Sequence, residues 1–125
     1  MPNENDRLNI EQQRSKFAFN HKTSSESSNY DAMAKKLPAY IQTNGFVYTM
    51  AFLAEKDKGV LQTIYEWHCT APENKTRLDK LTSLTSREAF LEKLIKDLSD
   101  EEIRILTIET LALFTWLRRF VKDDE

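Results

Sequence analysis

The chain reads as all-α, a single compact bundle of about six helices. Three observations point there. Its 125 residues hold only two glycines and three prolines, too few for the turns of a β fold. Apolar residues recur at three- and four-residue spacing through most of its length, which is the period of an amphipathic helix. The polar breaks between those runs carry helix caps, the clearest being Ser99-Asp100-Glu101-Glu102, with Ser and Glu in capping-box register.

Taken in order, the first helix is expected over about Asp6 to His21, with Asp6 as its cap and Ile10, Phe17 and His21 on one side. Its low apolar content suits a helix that covers the core rather than fills it. Residues 22–28 form a polar, serine-rich link, with Ser28 and Asp31 in capping-box spacing for the helix that follows. Residues 1–28 are thus expected as a partly flexible helix and linker on one domain spanning 1–125.

The second helix, about 29–43, is the most informative. Tyr30, Met33, Ala34, Leu37 and Ile41 hold one helix face straight through Pro38. Proline there removes a backbone hydrogen bond and clashes with the preceding turn. Because the apolar phase survives, the pattern predicts one kinked helix, not two. Asn44-Gly45 supplies a left-handed stop, and a third helix restarts at once over about 46–56.

After a turn at 56–59, Val60, Leu61, Ile64, Tyr65 and His68 stripe a fourth helix that stops at Ala71-Pro72. Leu78, Leu81 and Leu84 recur every third residue, which suits a short helix or 3₁₀ turn over the core. Thr85-Ser86-Arg87-Glu88 reads as a capping box opening a fifth helix, striped by Phe90, Leu91, Leu94, Ile95 and Leu98. The last helix carries Ile103, Leu106, Thr110, Leu113, Leu117 and Phe120 on one face. Ile105, Ile108, Ala112 and Trp116 widen that sector. Apolar over most of its circumference, it is expected at the centre of the bundle.

A chain of this length buries roughly two-thirds of its surface and needs no metal or disulfide to hold a core. The lone Cys69 excludes a disulfide within the chain and fits a reducing cytoplasm. No run approaches the ~20 apolar residues of a membrane span, and the polar, acidic N-terminus is unlike a signal peptide. No membrane partner and a cytoplasmic location are therefore expected.

Catalysis finds little support. His68 and Cys69 are neighbours, but successive helical residues point about 100° apart, and a half-buried Cys beside an interfacial His is the plainer reading. His21 and His68 stand apart, the carboxylates are scattered over polar faces, and neither glycine belongs to a phosphate loop. The expectation is no enzyme, no catalytic residue, no metal and no cofactor.

Net charge is only −2, which argues against a free-standing nucleic-acid binder. Local basic stretches exist nevertheless. Arg14, Lys16, Lys22, Lys35 and Lys36 meet only Glu26 and Asp31, and six Lys or Arg over 75–96 meet three acids. Arg118, Arg119 and Lys122 close the last helix, where cations also favour the helix dipole. Such patches can follow a phosphate backbone without reading sequence. Phe17, Phe19, Tyr30 and Tyr40 interleave with them as possible stacking platforms, although Tyr30 lies on a core stripe. Tyr40 lies off that stripe and is expected to be exposed.

Two blocks carry a resemblance. Leu37-Pro38, Ile41, Asn44-Gly45-Phe46 and Ala51-Phe52 form the first. The second joins Leu98-Ser99-Asp100-Glu101-Glu102 to Trp116-Leu117-Arg118-Arg119-Phe120. Together they resemble the small subunit of the Cmr complex, the type III-B CRISPR RNA-guided effector, with Phe46 where Leu is commoner.

The resemblance implies an all-helical, non-catalytic subunit in antiviral defence. It would stack on neighbouring copies of itself beside the backbone and large subunits of the effector and help hold the duplex of guide RNA and target RNA. The first match runs from Tyr30 to Leu53, so Lys35 and Lys36 within it, and Arg118 and Arg119 within the second block, are the expected RNA contacts. Gln42 and Asn44, at the end of the second helix, are the expected subunit contacts. A helical protein–protein adaptor without a nucleic-acid role is the alternative. A helix-turn-helix DNA binder ranks last, because no helix pair presents a polar recognition face.

Overall fold

The structure, a computed structural model, describes residues 4–21, 29–72, 74 and 76–121, with side chains from residue 9 onward. The link 22–28 with its serine caps, Lys122 and the acidic tail lie outside the described residues. Among the described residues six α-helices follow one another: α1 Glu4–His21, α2 Asn29–Asn44, α3 Phe46–Lys56, α4 Lys58–Tyr65, α5 Arg87–Lys96 and α6 Asp100–Phe120. A π-turn, Glu66–Thr70, extends α4, and a 3₁₀ turn, Asp79–Leu81, lies in the crossing to α5. No strand occurs among the described residues, and none of the helices is long and apolar enough to cross a membrane.

The last helix is the centre of the bundle, as its pattern predicted. It packs on α1, α2 and α3, while α3 and α4 pack on each other and on α5. Leu106, Leu113, Phe114 and Leu117 are buried along its inner face. Ser99 opens it with a complete capping box: the Glu102 N–H donates to Ser99 Oγ at 3.1 Å, and the Ser99 N–H donates to Glu102 Oε1 at 2.9 Å. The widened apolar sector is not buried throughout. Ile108 is 57% exposed and Ile105 37%, on the side of α6 turned away from the buried face of Leu106, Leu113 and Leu117.

Local signals fixed α2 and α3. A single helix runs through Pro38. Proline leaves the Ala34 carbonyl without its usual donor, yet Ala34 and Leu37 are fully buried and Ile41 nearly so, and their packing holds the helix together. Gly45 has φ 91° and ψ 161°. The positive φ was expected, but ψ is extended and not helical, a region essentially confined to glycine. The Gly45 N–H closes α2 by donating to Ile41 O at 2.8 Å, and the Thr49 hydroxyl and N–H engage Gly45 O at 2.7 and 3.2 Å.

Three local expectations need correction. The first helix begins at Glu4, so Asp6 is inside it. Its Phe17 and Ala18 are buried, so α1 contributes to the core and does not merely cover it. At α5 the cap is Ser86 alone, accepting from the Ala89 N–H at 3.0 Å. The box read at Thr85–Glu88 was one residue out of register.

Candidate nucleic-acid interface

Lys35 projects from the middle of α2, and Arg118 and Arg119 from the last turn of α6. Because these two helices pack together, the three cations and Thr115 line one open hollow of about 510 Å³. Among the described residues no carboxylate lines it. Among the described residues neither Arg118 nor Arg119 makes an ion pair, and both are exposed. Cations gathered along one hollow raise its positive potential, which favours a bound anion. Guanidinium groups add paired donors that match phosphate oxygens.

The other sequence-predicted residues fall elsewhere. Lys36 is exposed and does not line the hollow, because the next residue on a helix turns about 100° away. Gln42 and Asn44 are exposed at the end of α2. Asn44 lines a second, smaller pocket of about 130 Å³ with Tyr40, Tyr48, Thr49 and Phe52. Tyr40 is half-buried, not exposed, with its ring centroid 5.2 Å from that of Phe52. Sequence reading missed Thr115, Tyr48 and Phe52. The spacing Lys36, Tyr40, Asn44 and the pair Tyr48, Phe52, each at intervals of four, was the available signal.

Several basic or aromatic candidates are otherwise occupied. Arg14 grips Glu109 on α6. Lys80 pairs with Glu102, Lys93 with Asp97 and Lys96 with Glu92, while Arg87 donates to Gln62 Oε1 at 2.8 Å. Of the described cations of 75–96, the three lysines are thus paired with acids, while Arg87 and Arg77 are held by neutral acceptors. Phe17 and Tyr30 are core residues. Burial pushes the Tyr30 phenol up to about 12, and it sits 2.7 Å from the Thr63 hydroxyl. Phe19 remains 54% exposed and packs edge-on against Phe120.

His68 and Cys69 are both fully buried, which corrects the half-buried reading. The π-turn explains it: its wider backbone carries Trp67, His68 and Cys69 in succession into the core. Burial lowers the His68 imidazole to about 3, and its Nε2 lies 2.8 Å from the Thr110 hydroxyl. Burial also raises the Cys69 thiol to about 12. Sealed in the core, a weakly basic imidazole engaged by Thr110 and a thiol held protonated make a poor base and nucleophile. Among the described residues no three His, Cys, Asp or Glu side chains gather as a metal site.

The geometry defines a small all-helical module with a cationic hollow between its central helix and its proline-containing helix. The sequence model of the family described as CRISPR-associated protein (Cas_Cmr5) matches residues 10–123. The chain belongs to that family, the small subunit of the type III-B Cmr complex, a multi-subunit CRISPR assembly. The match takes in most of α1 as well as the two blocks that carried the resemblance. No match was found among the curated proteins or the solved structures.

Proposed function

We propose that this chain is a non-catalytic subunit that stacks on copies of itself along a cytoplasmic type III-B effector and steadies the duplex of guide and target RNA. The observation that supports this reading is the convergence of Lys35, Arg118 and Arg119 on one hollow. One subunit then offers a few phosphate contacts, and a stacked row multiplies them. That is how a chain with net charge −2 can serve RNA without binding it strongly alone. Gln42 at the end of α2 meets a neighbouring subunit in this reading.

The test is target-RNA retention by the reconstituted complex carrying Lys35→Glu, Arg118→Glu and Arg119→Glu together. Retention should weaken, and its dependence on log salt should fall by about two, while the complex still assembles. Unchanged retention and salt dependence would overturn the role of the hollow.

The adaptor reading has its own observation, the exposed Ile95, Ile105 and Ile108. It requires assembly that survives nuclease and no RNA crosslinks to this chain.

A further inference from the structure

The smaller pocket at the elbow between α2 and α3 is not part of the cationic hollow. It opens on a different side of α2, since Lys35 faces α6 whereas Tyr40 and Asn44 face α3. Its walls are three aromatic rings and one amide. Tyr40 and Phe52 pack at 5.2 Å with a 49° tilt and form the floor. Tyr48 is 62% exposed at the rim. Thr49 is committed to backbone, its hydroxyl 2.7 Å from Gly45 O and 3.2 Å from Tyr40 O. Among the described residues no hydrogen bond engages the Asn44 amide or either phenol.

We propose that this pocket takes one purine or pyrimidine base of single-stranded RNA, stacked by Tyr48 over the Tyr40–Phe52 floor, with its edge read by the Asn44 amide. Four arguments carry it. The volume, about 130 Å³, is far below the roughly 300–1,000 Å³ of sites for drug-sized ligands and suits a single ring system. Aromatic side chains stack any base through its π face. An amide offers a donor and an acceptor together, which is what a base edge presents. Lys36 stands one turn from Tyr40 on the same stripe, exposed, where its ammonium meets the attached phosphate.

An aliphatic anchor from a partner protein fits less well. It would cover the Asn44 amide without pairing it, and an unpaired polar group under apolar cover is costly. The rigid elbow that aligns the rings depends on Gly45, whose φ of 91° lets α3 restart one residue after α2 ends.

The inference rests on the RNA-contacting reading above, but its test does not. The isotope-labelled full chain would be titrated with the four nucleoside monophosphates, the matching nucleosides and N-acetyl-leucinamide, and followed by NMR. Saturable shifts of the Asn44 side-chain NH₂ and the Tyr48 amide are expected with the nucleotides. Tyr48→Ala should weaken binding about tenfold, and Asn44→Ala should level any preference among bases. Lys36→Glu should weaken monophosphates and spare nucleosides. Both Tyr48 and Lys36 are exposed, so these variants fold.

Shifts confined to Lys35, Arg118 and Arg119 would overturn the pocket and leave the hollow standing. Binding of N-acetyl-leucinamide in place of nucleotides would overturn it in favour of a protein anchor. Nucleotide shifts at Asn44, combined with target-RNA retention that ignores charge reversal in the hollow, would uphold the pocket and remove the reading given to the hollow.

Discussion

Arg14 holds Glu109 through two parallel hydrogen bonds, Nε to Oε2 at 2.8 Å and Nη2 to Oε1 at 2.9 Å. The residues are 95 positions apart, and the pair ties α1 to α6. Trp67 Nε1 donates to the same Oε2 at 3.2 Å, so a nearly buried carboxylate receives three donors. The fork also raises the Arg14 guanidinium further, chiefly through its hydrogen bonds to Glu109. Removing one partner leaves the other charge without compensation in a largely dry site.

Arg14→Ala should therefore destabilise the fold by about 3 kcal/mol, because it strands the more buried Glu109 carboxylate, and Glu109→Ala by a comparable amount, because it leaves both Arg14 and the Trp67 Nε1–H without their acceptor. Urea unfolding of the two single variants and the double variant gives the coupling between them. A coupling near zero would show that the fork contributes nothing.

Leu113 is 1% exposed on the inner face of α6. Leu113→Ala should cost about 2–5 kcal/mol through lost burial and the cavity left behind. A thermal melt matching the parent would remove α6 from the centre of the fold.

Gly45→Ala meets no steric obstacle, since nothing lies within 4 Å of the added Cβ. The cost comes from the backbone alone, about 1–3 kcal/mol for a side chain held at that φ and ψ. Equilibrium unfolding should show the loss, together with increased amide exchange at the α2–α3 elbow. An unchanged midpoint would mean that the elbow relaxes freely.

His68 makes the fold sensitive to acid. In the unfolded chain the imidazole takes a proton near pH 6.5; in the core it resists protonation down to about 3. Between those values the unfolded state holds the extra proton, so stability falls as pH is lowered and is flat above pH 6.5. By pH 5 the loss from this group is about 2 kcal/mol. His68→Gln should flatten that part of the stability–pH curve, measured by urea unfolding at pH 7 and pH 5. Equal slopes in parent and variant would show that His68 is accessible to protons in the folded state.

Much of the fold was legible because its signals are local. The α2–α3 boundary at Asn44-Gly45, the stop before Pro72 and the Ser99 capping box each depend on backbone rules acting within four residues. The periodic stripes of α2, α4, α5 and α6 together named somewhat more than half of the core for the same reason. At Ile105 and Ile108 the stripe misled, because periodicity reports where apolar side chains point and not what lies opposite them. His68 and Cys69 misled because the π-turn shifts the facing of Trp67, His68 and Cys69 away from the helical spacing.

Lys35, Lys36, Arg118 and Arg119 come from two separate blocks of sequence. Only the packing of α2 on α6 brings Lys35 to the two arginines, and only the turn of α2 sends Lys36 to the other side. The basic stretch 75–96 looked equally promising until Glu102, Asp97, Glu92 and Gln62 took up its cations.

The order of amino acids by itself determined an all-helical chain, its breaks and most of its interior, since hydrogen bonds, caps and apolar period are set by near neighbours. Tertiary structure decided which charges stand together, which are spent within the chain and which aromatic rings form a pocket. Those outcomes depend on residues tens of positions apart meeting across helices, and no short-range rule specifies such meetings.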